Sequence, residues 1–222
     1  MTPKIKEIYE KMREQFFTVV DEKVVSAHVR QSQLQKLQQI SNGFIIKNNP
    51  RDDVEDEILV IDHYPPKLQK LEQLVDSNPG EKFIVWAWYR ADFDWLRDRF
   101  DNPAEVHGGV SGSTQESHIQ RFKHSDNCRV MLAHPASAKY SETWVVANNT
   151  VYYSWSHSVL EYTQSRDRNY RLGQEDPTTE YFLIGSPIDR EIYEAVKENK
   201  DFSETFADNE KFRRVLERAE AA

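Results

Sequence analysis

The sequence predicts an α/β domain, a parallel doubly wound sheet of about five or six strands, preceded by an N-terminal helical segment. Three observations carry this expectation. From Pro65 onward, short apolar runs alternate with amphipathic stretches, the order that builds βα units with right-handed crossovers. Those runs, such as EKFIVWAWY and NCRVMLAHP, are nearly continuous, as strands buried on both faces require. Before residue 50, apolar residues instead recur at spacings of three and four.

In KIKEIYEKMREQFFTVV the spacing sets Ile5, Ile8, Met12 and Phe16 on one helical stripe. A second helix runs through AHVRQSQLQKLQQI and stops at Asn42-Gly43, a C-terminal cap. The acidic stretch NNPRDDVEDEILVID follows as a loop that ends in a short strand, Ile58 to Ile61. It divides the chain into residues 1–50, a helical segment packing on the lobe, and residues 51–222, the α/β domain.

Beyond it, PPKLQKLEQLVDSN opens with proline and presents Leu68, Leu71, Leu74 and Val75 on one helical face. EKFIVWAWY is the first sheet strand and ADFDWLRDRF a helix. AEVHG is the next strand. SGSTQESHIQRFKHSD follows as a helix, with Ser113 and Glu116 at capping-box spacing. NCRVMLAHP and NNTVYYSW are strands, SVLEYTQSRDRNYR a helix and TTEYFLIG the last strand. Helices IDREIYEAVKEN and FADNEKFRRVLERA close the chain. In such sheets ligands gather beyond the strands' carboxyl ends, here the loops starting near Tyr89, Gly108, His134, Trp155 and Gly185.

With 38% hydrophobic residues, including 11 Phe, 10 Tyr and 5 Trp, the 222-residue chain can bury a substantial core. No apolar run approaches the roughly 18 residues of a membrane span, and the N-terminus lacks a signal peptide's apolar region. Cys128 is the sole cysteine, which rules out an internal disulfide. These features read as an intracellular, cytoplasmic protein with no membrane partner. The formal charge of -8 and a pI near 5.4 oppose binding of nucleic acid over a broad surface. Any such contact has to come from a local patch or be shared with another domain.

Several chemistries find no support. His63, His107, His118, His124, His134 and His157 are scattered, with no H-E-x-x-H pair, so no metal site is expected. There is no G-x-S-x-G elbow and no G-x-x-x-x-G-K-[ST] phosphate loop. Gly108, Gly109 and Gly112 make a glycine-bearing loop, which a turn alone explains.

One stretch stands against the acidic background. QSRDRNYRLGQ, residues 164–174, holds three arginines in six residues. On a helix advancing about 100° per residue, Gln164, Arg168 and Arg171 fall within roughly 60°, with Arg166 on the other side. Guanidinium groups suit bidentate phosphate contact and the stabilisation of charge on a transferring phosphoryl group. A surface helix salt-bridged through Asp167 and Glu161 has the same spacing.

QSRDRNYRLGQ, with its Q-x-x-D-R-x-x-R and Leu-Gly-Gln, resembles the sixth conserved motif of Swi/Snf-type superfamily 2 helicases and translocases. LQKLQQISNGF, KFIVWAWYRADFDWL, VHGGVSGSTQESHIQRF, VMLAHPASA and TVYYSW resemble, in order, other segments of that family over about residues 2 to 185, phage and bacterial members most closely. The resemblance implies a RecA-like second lobe, which clasps ATP and Mg2+ against an N-terminal helicase lobe absent from this chain. It implies that Arg168 and Arg171 act as arginine fingers on the phosphates, with Gln164 as their partner. His134, Ser137, Lys139 and Arg90, at strand ends, would grip the backbone of double-stranded DNA.

The sequence departs from the family at Lys139 to Trp144, KYSETW, where members carry a G-x-G-L-N type stretch. Lys139 and Ser141 stand for the two glycines that let backbone approach ligand closely. Two expectations follow: one lobe of an ATP-driven DNA translocase, inactive alone, or a degenerate lobe kept as a non-catalytic binding module.

Overall fold

The computed structural model describes residues 1–22, 26–47, 56–139, 144–156, 158–168, 177–198 and 209–218. Helix α1 (Pro3–Glu22) buries Ile5, Tyr9 and Arg13, with Ile8, Met12 and Phe16 only half-buried, so the inward face is turned slightly from the expected stripe. Helix α2 (Ala27–Ser41) is capped by Ser26, whose hydroxyl accepts from the Val29 N–H, and ends at Asn42 as expected. Gly43 follows at φ +95°, where any Cβ would lie 2.7 Å from the Asp62 carbonyl oxygen.

Two short strands come next, β1 (Phe44–Lys47) and β2 (Glu57–Val60), paired antiparallel with Phe44 opposite Val60. Strand β1 was not expected, since residues 1–50 read as helical. The left-handed Gly43 turns the chain out of α2, and the β-branched pair Ile45-Ile46 favours the extended form. Strand β2 begins one residue earlier than expected.

Helix α3 (Pro66–Asp76) buries Leu68, Leu71 and Val75, and Arg129 caps its carboxyl end by donating to the carbonyls of Val75 and Asn78. The sheet then builds through β3 (Phe83–Trp86), α4 (Arg90–Arg97), β4 (Ala104–Val106), α5 (Gly112–His124), β5 (Val130–Ala133), a 3₁₀ turn (Pro135–Lys139), β6 (Asn149–Tyr152), α6 (Val159–Arg166) and β7 (Thr179–Phe182). The five strands β3 to β7 are all parallel, in the order β4-β5-β3-β6-β7. Every residue of β3, β4, β5 and β6 is buried, which accounts for the continuous apolar runs. The N-cap of α5 is Ser111, accepting from Thr114, and not the expected Ser113. Helices α7 (Pro187–Lys197) and α8 (Asn209–Arg218) complete the chain.

The chain forms two compact units, residues 70–183 and residues 1–69 with 184–222. The first contains the sheet. In the second, Arg13 of α1 donates to the Leu216 carbonyl of α8, which gives its buried guanidinium a partner. A polar cluster lies at the start of α7, where Asp189 is fully buried against Lys67, Ser41 and Ser186. Gly185 is required beside it: a Cβ there would meet Lys67 Cδ at 2.5 Å and Ser41 Oγ at 2.8 Å. Lys67 cannot swing aside, because its Nζ donates to Asn42 Oδ1 at 2.8 Å and faces Asp189. Gly185→Ala is therefore expected to destabilise the fold by about 1–3 kcal/mol, the usual cost of overpacking, measured as a lowered urea midpoint.

Candidate functional site

The strand order fixes where a ligand can enter. From β3 the chain passes through α4 to β4 on one side; from β6 it passes through α6 to β7 on the other. The carboxyl ends of β3 and β6 thus flank the topological switch point, the crevice where open α/β sheets bind ligands. A buried pair holds this crevice in shape. Ser154, just past β6, donates to Asp92 Oδ2 at 2.5 Å and accepts from the Trp88 N–H at 2.7 Å. Asp92 is the third residue of α4, and its carboxylate also accepts from the Tyr89 N–H. Neither residue stood out in the sequence, where a serine and an aspartate 62 positions apart give no local signal.

The expected nucleic-acid contacts converge on the neighbouring strand ends β3 and β5. Arg90 opens α4 and is exposed. His134 follows β5, its N–H bonded to the Val106 carbonyl and its ring stacked on Trp88 at 4.7 Å between centroids. The Ala136 N–H donates to His134 Nδ1 at 3.1 Å. Burial pushes the His134 pKa down, with Glu161 of α6 acting weakly against it. The ring is thus neutral at physiological pH, bonded to the backbone of Ala136 and Trp88 and stacked on the Trp88 indole, and it brings no positive charge to the rim. Ser137 is half-buried in the 3₁₀ turn, its N–H donating to the His134 carbonyl. Lys139 ends that turn, and its side chain lies outside the described residues.

Two of the three arginines, Arg166 and Arg168, fall within the described residues and sit differently. Helix α6 is docked on β6 by Tyr152, whose hydroxyl meets Ser165 Oγ at 3.2 Å, and the Ser165 hydroxyl bonds back to the Tyr162 carbonyl. Burial pushes the Tyr152 phenol well above its ordinary pKa, so it stays protonated. Arg166 is exposed and bonds to Tyr162, which donates in turn to Glu180 of β7 at 3.1 Å. Arg166 is thereby part of the scaffold. The helix stops at Arg166, short of the expected run to Arg171. Asp167 and Arg168 tighten the last turn, the Arg168 N–H reaching the Ser165 carbonyl three residues back.

The Arg168 carbonyl then accepts from the Trp144 N–H at 2.9 Å, a partner outside the helix. Trp144 is buried and stacks on Trp86, the last residue of β3, at 5.6 Å. The backbone of Arg168 is therefore fastened, through two indoles, to the strand that ends at the switch point. Its side chain is buried, 9% exposed. Gln164 is half-buried on α6 one turn earlier. Arg171 lies outside the described residues; of the expected stripe, Gln164 sits on α6 and Arg168 just beyond its end.

At the sheet edge, the Glu105 carboxylate receives both Nε and Nη2 of Arg97 at 2.7 Å and His107 Nε2 at 2.9 Å. Burial alone would raise its pKa, but the hydrogen bonds and charges of Arg97 and His107 outweigh it and hold the value at about 2. A carboxylate depressed from 4.5 to about 2 stabilises the fold above the unfolded value, and this contribution is lost as pH falls through the folded one. Glu105→Gln is expected to lower the urea midpoint at pH 7. The gap from the parent chain should narrow between pH 4.5 and pH 2 as the parent's own carboxyl becomes neutral.

Residues 66–173 match the family model of the helicase conserved C-terminal domain, a span holding β3 to α6 and ending within QSRDRNYRLGQ. No curated protein sequence matches the chain. Among solved structures, it is similar to the Sulfolobus solfataricus SWI2/SNF2 ATPase core domain, 16% identical, TM-score 0.72, covering 100% of this chain and 47% of that one. The same Sulfolobus core in complex with dsDNA gives a TM-score of 0.66 at 17% identity, over 98% and 46% of the two chains. The C-terminal part of the Fun30 ATPase domain gives 0.54 at 18% identity, over 60% and 45%. The chain thus spans about half the length of these structures. The five-stranded parallel sheet has the RecA-like fold of helicase C-terminal lobes.

Proposed function

We propose that this chain is the C-terminal lobe of an ATP-dependent DNA translocase or helicase, completed by an N-terminal lobe that holds most of the nucleotide. The observation that carries the reading is Arg168. Its side chain is buried, and its backbone carbonyl accepts from the N–H of Trp144, whose indole stacks on Trp86 at the carboxyl end of β3. Holding an arginine at a fixed depth, instead of leaving it on a mobile surface, is what stabilising charge on a transferring phosphoryl group requires. Arg171 and Gln164 extend the same motif in the sequence.

The side chains this reading assigns to the phosphates, Arg168, Arg171 and Gln164, carry guanidinium and amide N–H donors, which suit phosphate oxygens and not a divalent cation. Mg2+ would accordingly be held by carboxylates of the first lobe and would neutralise the phosphates there. Arg90, the Trp88–His134 stack and Ser137 supply a local rim for a nucleic-acid backbone on a chain whose overall charge opposes one. That the similar Sulfolobus core was solved with dsDNA favours duplex DNA as the track.

A second reading keeps the lobe and drops the chemistry, because KYSETW replaces the glycine-bearing stretch of the family. The position of Trp144 bears on this. The backbone N–H of Trp144, which ends the altered stretch, donates to the Arg168 carbonyl, and its indole packs on Trp86, which favours a substituted anchor over a lost function. The deciding experiment joins the chain to a first lobe bearing the missing phosphate loop and measures ATP hydrolysis with and without duplex DNA. DNA-stimulated turnover supports the first reading. Tight lobe-to-lobe binding with no hydrolysis establishes the second.

A further inference from the structure

The β1–β2 hairpin ends in an unusual edge. Ile58, Leu59 and Val60 are 40%, 43% and 39% exposed, so three successive aliphatic residues meet solvent on both faces of one strand. The hairpin's other edge is closed. The Ile46 N–H donates to Gln39 Oε1 at 3.0 Å, and Lys36 Nζ donates to the Ile46 carbonyl, both from α2. Since both Ile46 groups point away from β2, Ile46 and Ile58 form a non-hydrogen-bonded pair of the antiparallel ladder. The N–H and C=O of Ile58, and by alternation those of Val60, therefore point outward. The bond from the Ile61 N–H to the Gly43 carbonyl fits that register. Among the described residues, none takes up these outward groups.

An aliphatic strand with a row of free backbone donors and acceptors is a template for strand addition, and soluble proteins protect such edges with lysine, proline or a covering element. Here neither residue occurs within β2; the strand opens with Glu57, paired with Lys47 of β1, and is preceded by DDVED, four carboxylates in residues 52–56. We propose that the outer edge of β2 is a docking site for an extended segment of a partner protein, with alternating apolar residues flanked by lysine or arginine.

Charge selects this occupant over a second copy of the chain. Self-pairing centred on Leu59 overlaps all three aliphatic residues, but sets Asp56 opposite Asp62 of the other copy. Each copy also carries a net charge of -8. A basic strand meets complementary charge at the same positions, and its side chains cover Ile58 and Val60 on one face and Leu59 on the other.

The test titrates the full chain into a fluorescein-labelled peptide of about ten residues, alternating valine and threonine flanked by lysines, followed by anisotropy. A matched peptide with glutamate for lysine is the comparison. Saturable binding is expected for the basic peptide, with the acidic one at least about tenfold weaker. Val60→Pro removes an outward donor that β1 does not use, so it should weaken the basic peptide by about tenfold or more at unchanged thermal midpoint. Ile58→Lys with Val60→Lys, which keeps the backbone intact and repels the peptide, should do the same even if the proline variant folds poorly. Equal binding of both peptides, no binding, or binding that survives both variants would overturn the proposal. So would sedimentation showing a dimer that Val60→Pro dissolves, since the occupant would then be a second copy.

Discussion

With the chain joined to a first lobe, Arg168→Ala is expected to lower DNA-stimulated ATP turnover by about 10³-fold or more, while the KM for ATP changes only a few-fold. The asymmetry follows from where charge develops. In the ground state the phosphates are held mainly by the other lobe, and a guanidinium from this lobe adds little. As the γ-phosphoryl group separates, charge on its oxygens shifts, and a donor already fixed in place stabilises it without reorganising. Arg168→Lys should recover little, because an ammonium lacks the planar fork. Trp144→Ala is the informative companion. It leaves the guanidinium in place and removes the indole that packs on Trp86, so a loose finger should lower turnover partly, by about 10-fold, with duplex DNA affinity unchanged. Full activity in Arg168→Ala would end the assignment. Equal losses in kcat/KM and in ATP affinity would recast Arg168 as a binding residue.

The contrast between Arg168 and Trp144 also marks what could be read in advance. The sheet was legible because β3 and β5 are buried on both faces, which writes an uninterrupted apolar run into local sequence. Helices α3 and α7 were legible because their apolar residues recur at helical spacing, and in α3 because proline opens it. Strand β1 was not. Its four residues, FIIK, give no period, and its partner β2 lies across a long acidic stretch.

The site was legible only as a motif. Spacing placed Gln164, Arg168 and Arg171 on one helical stripe, but α6 ends at Arg166, and the Arg168 carbonyl accepts from the Trp144 N–H outside the helix. That bond joins residues 24 positions apart, as Ser154–Asp92 joins residues 62 apart, and neither leaves a periodic trace. A glycine-poor KYSETW read alone looked like damage. Only the packing of Trp144 gives it a structural role.

The largest stability effect is expected at Asp189. Its Oδ2 accepts from Ser41 Oγ at 2.9 Å, Gly185 N at 2.9 Å and Ser186 Oγ at 3.0 Å, while Lys67 Nζ lies 3.5 Å from Oδ1. Both charged side chains are buried, with Asp189 at 0% and Lys67 at 3% exposure. The two partners are unequally replaceable. Without Asp189, three donors lose their acceptor and the buried Lys67 cation loses its carboxylate, while still donating to Asn42 Oδ1. Asp189→Ala is therefore expected to cost about 3–5 kcal/mol. Without Lys67, the carboxylate still accepts three hydrogen bonds, so Lys67→Met should cost less, about 1–3 kcal/mol. Asp189→Asn combined with Lys67→Met removes both charges and retains an acceptor for the three donors, and should be more stable than Asp189→Ala alone. Urea denaturation of the four chains at pH 7 gives each value. If Lys67→Met proved as damaging as Asp189→Ala, the hydrogen bonds to Asp189 would not be what holds the start of α7, and the cation itself would have to be.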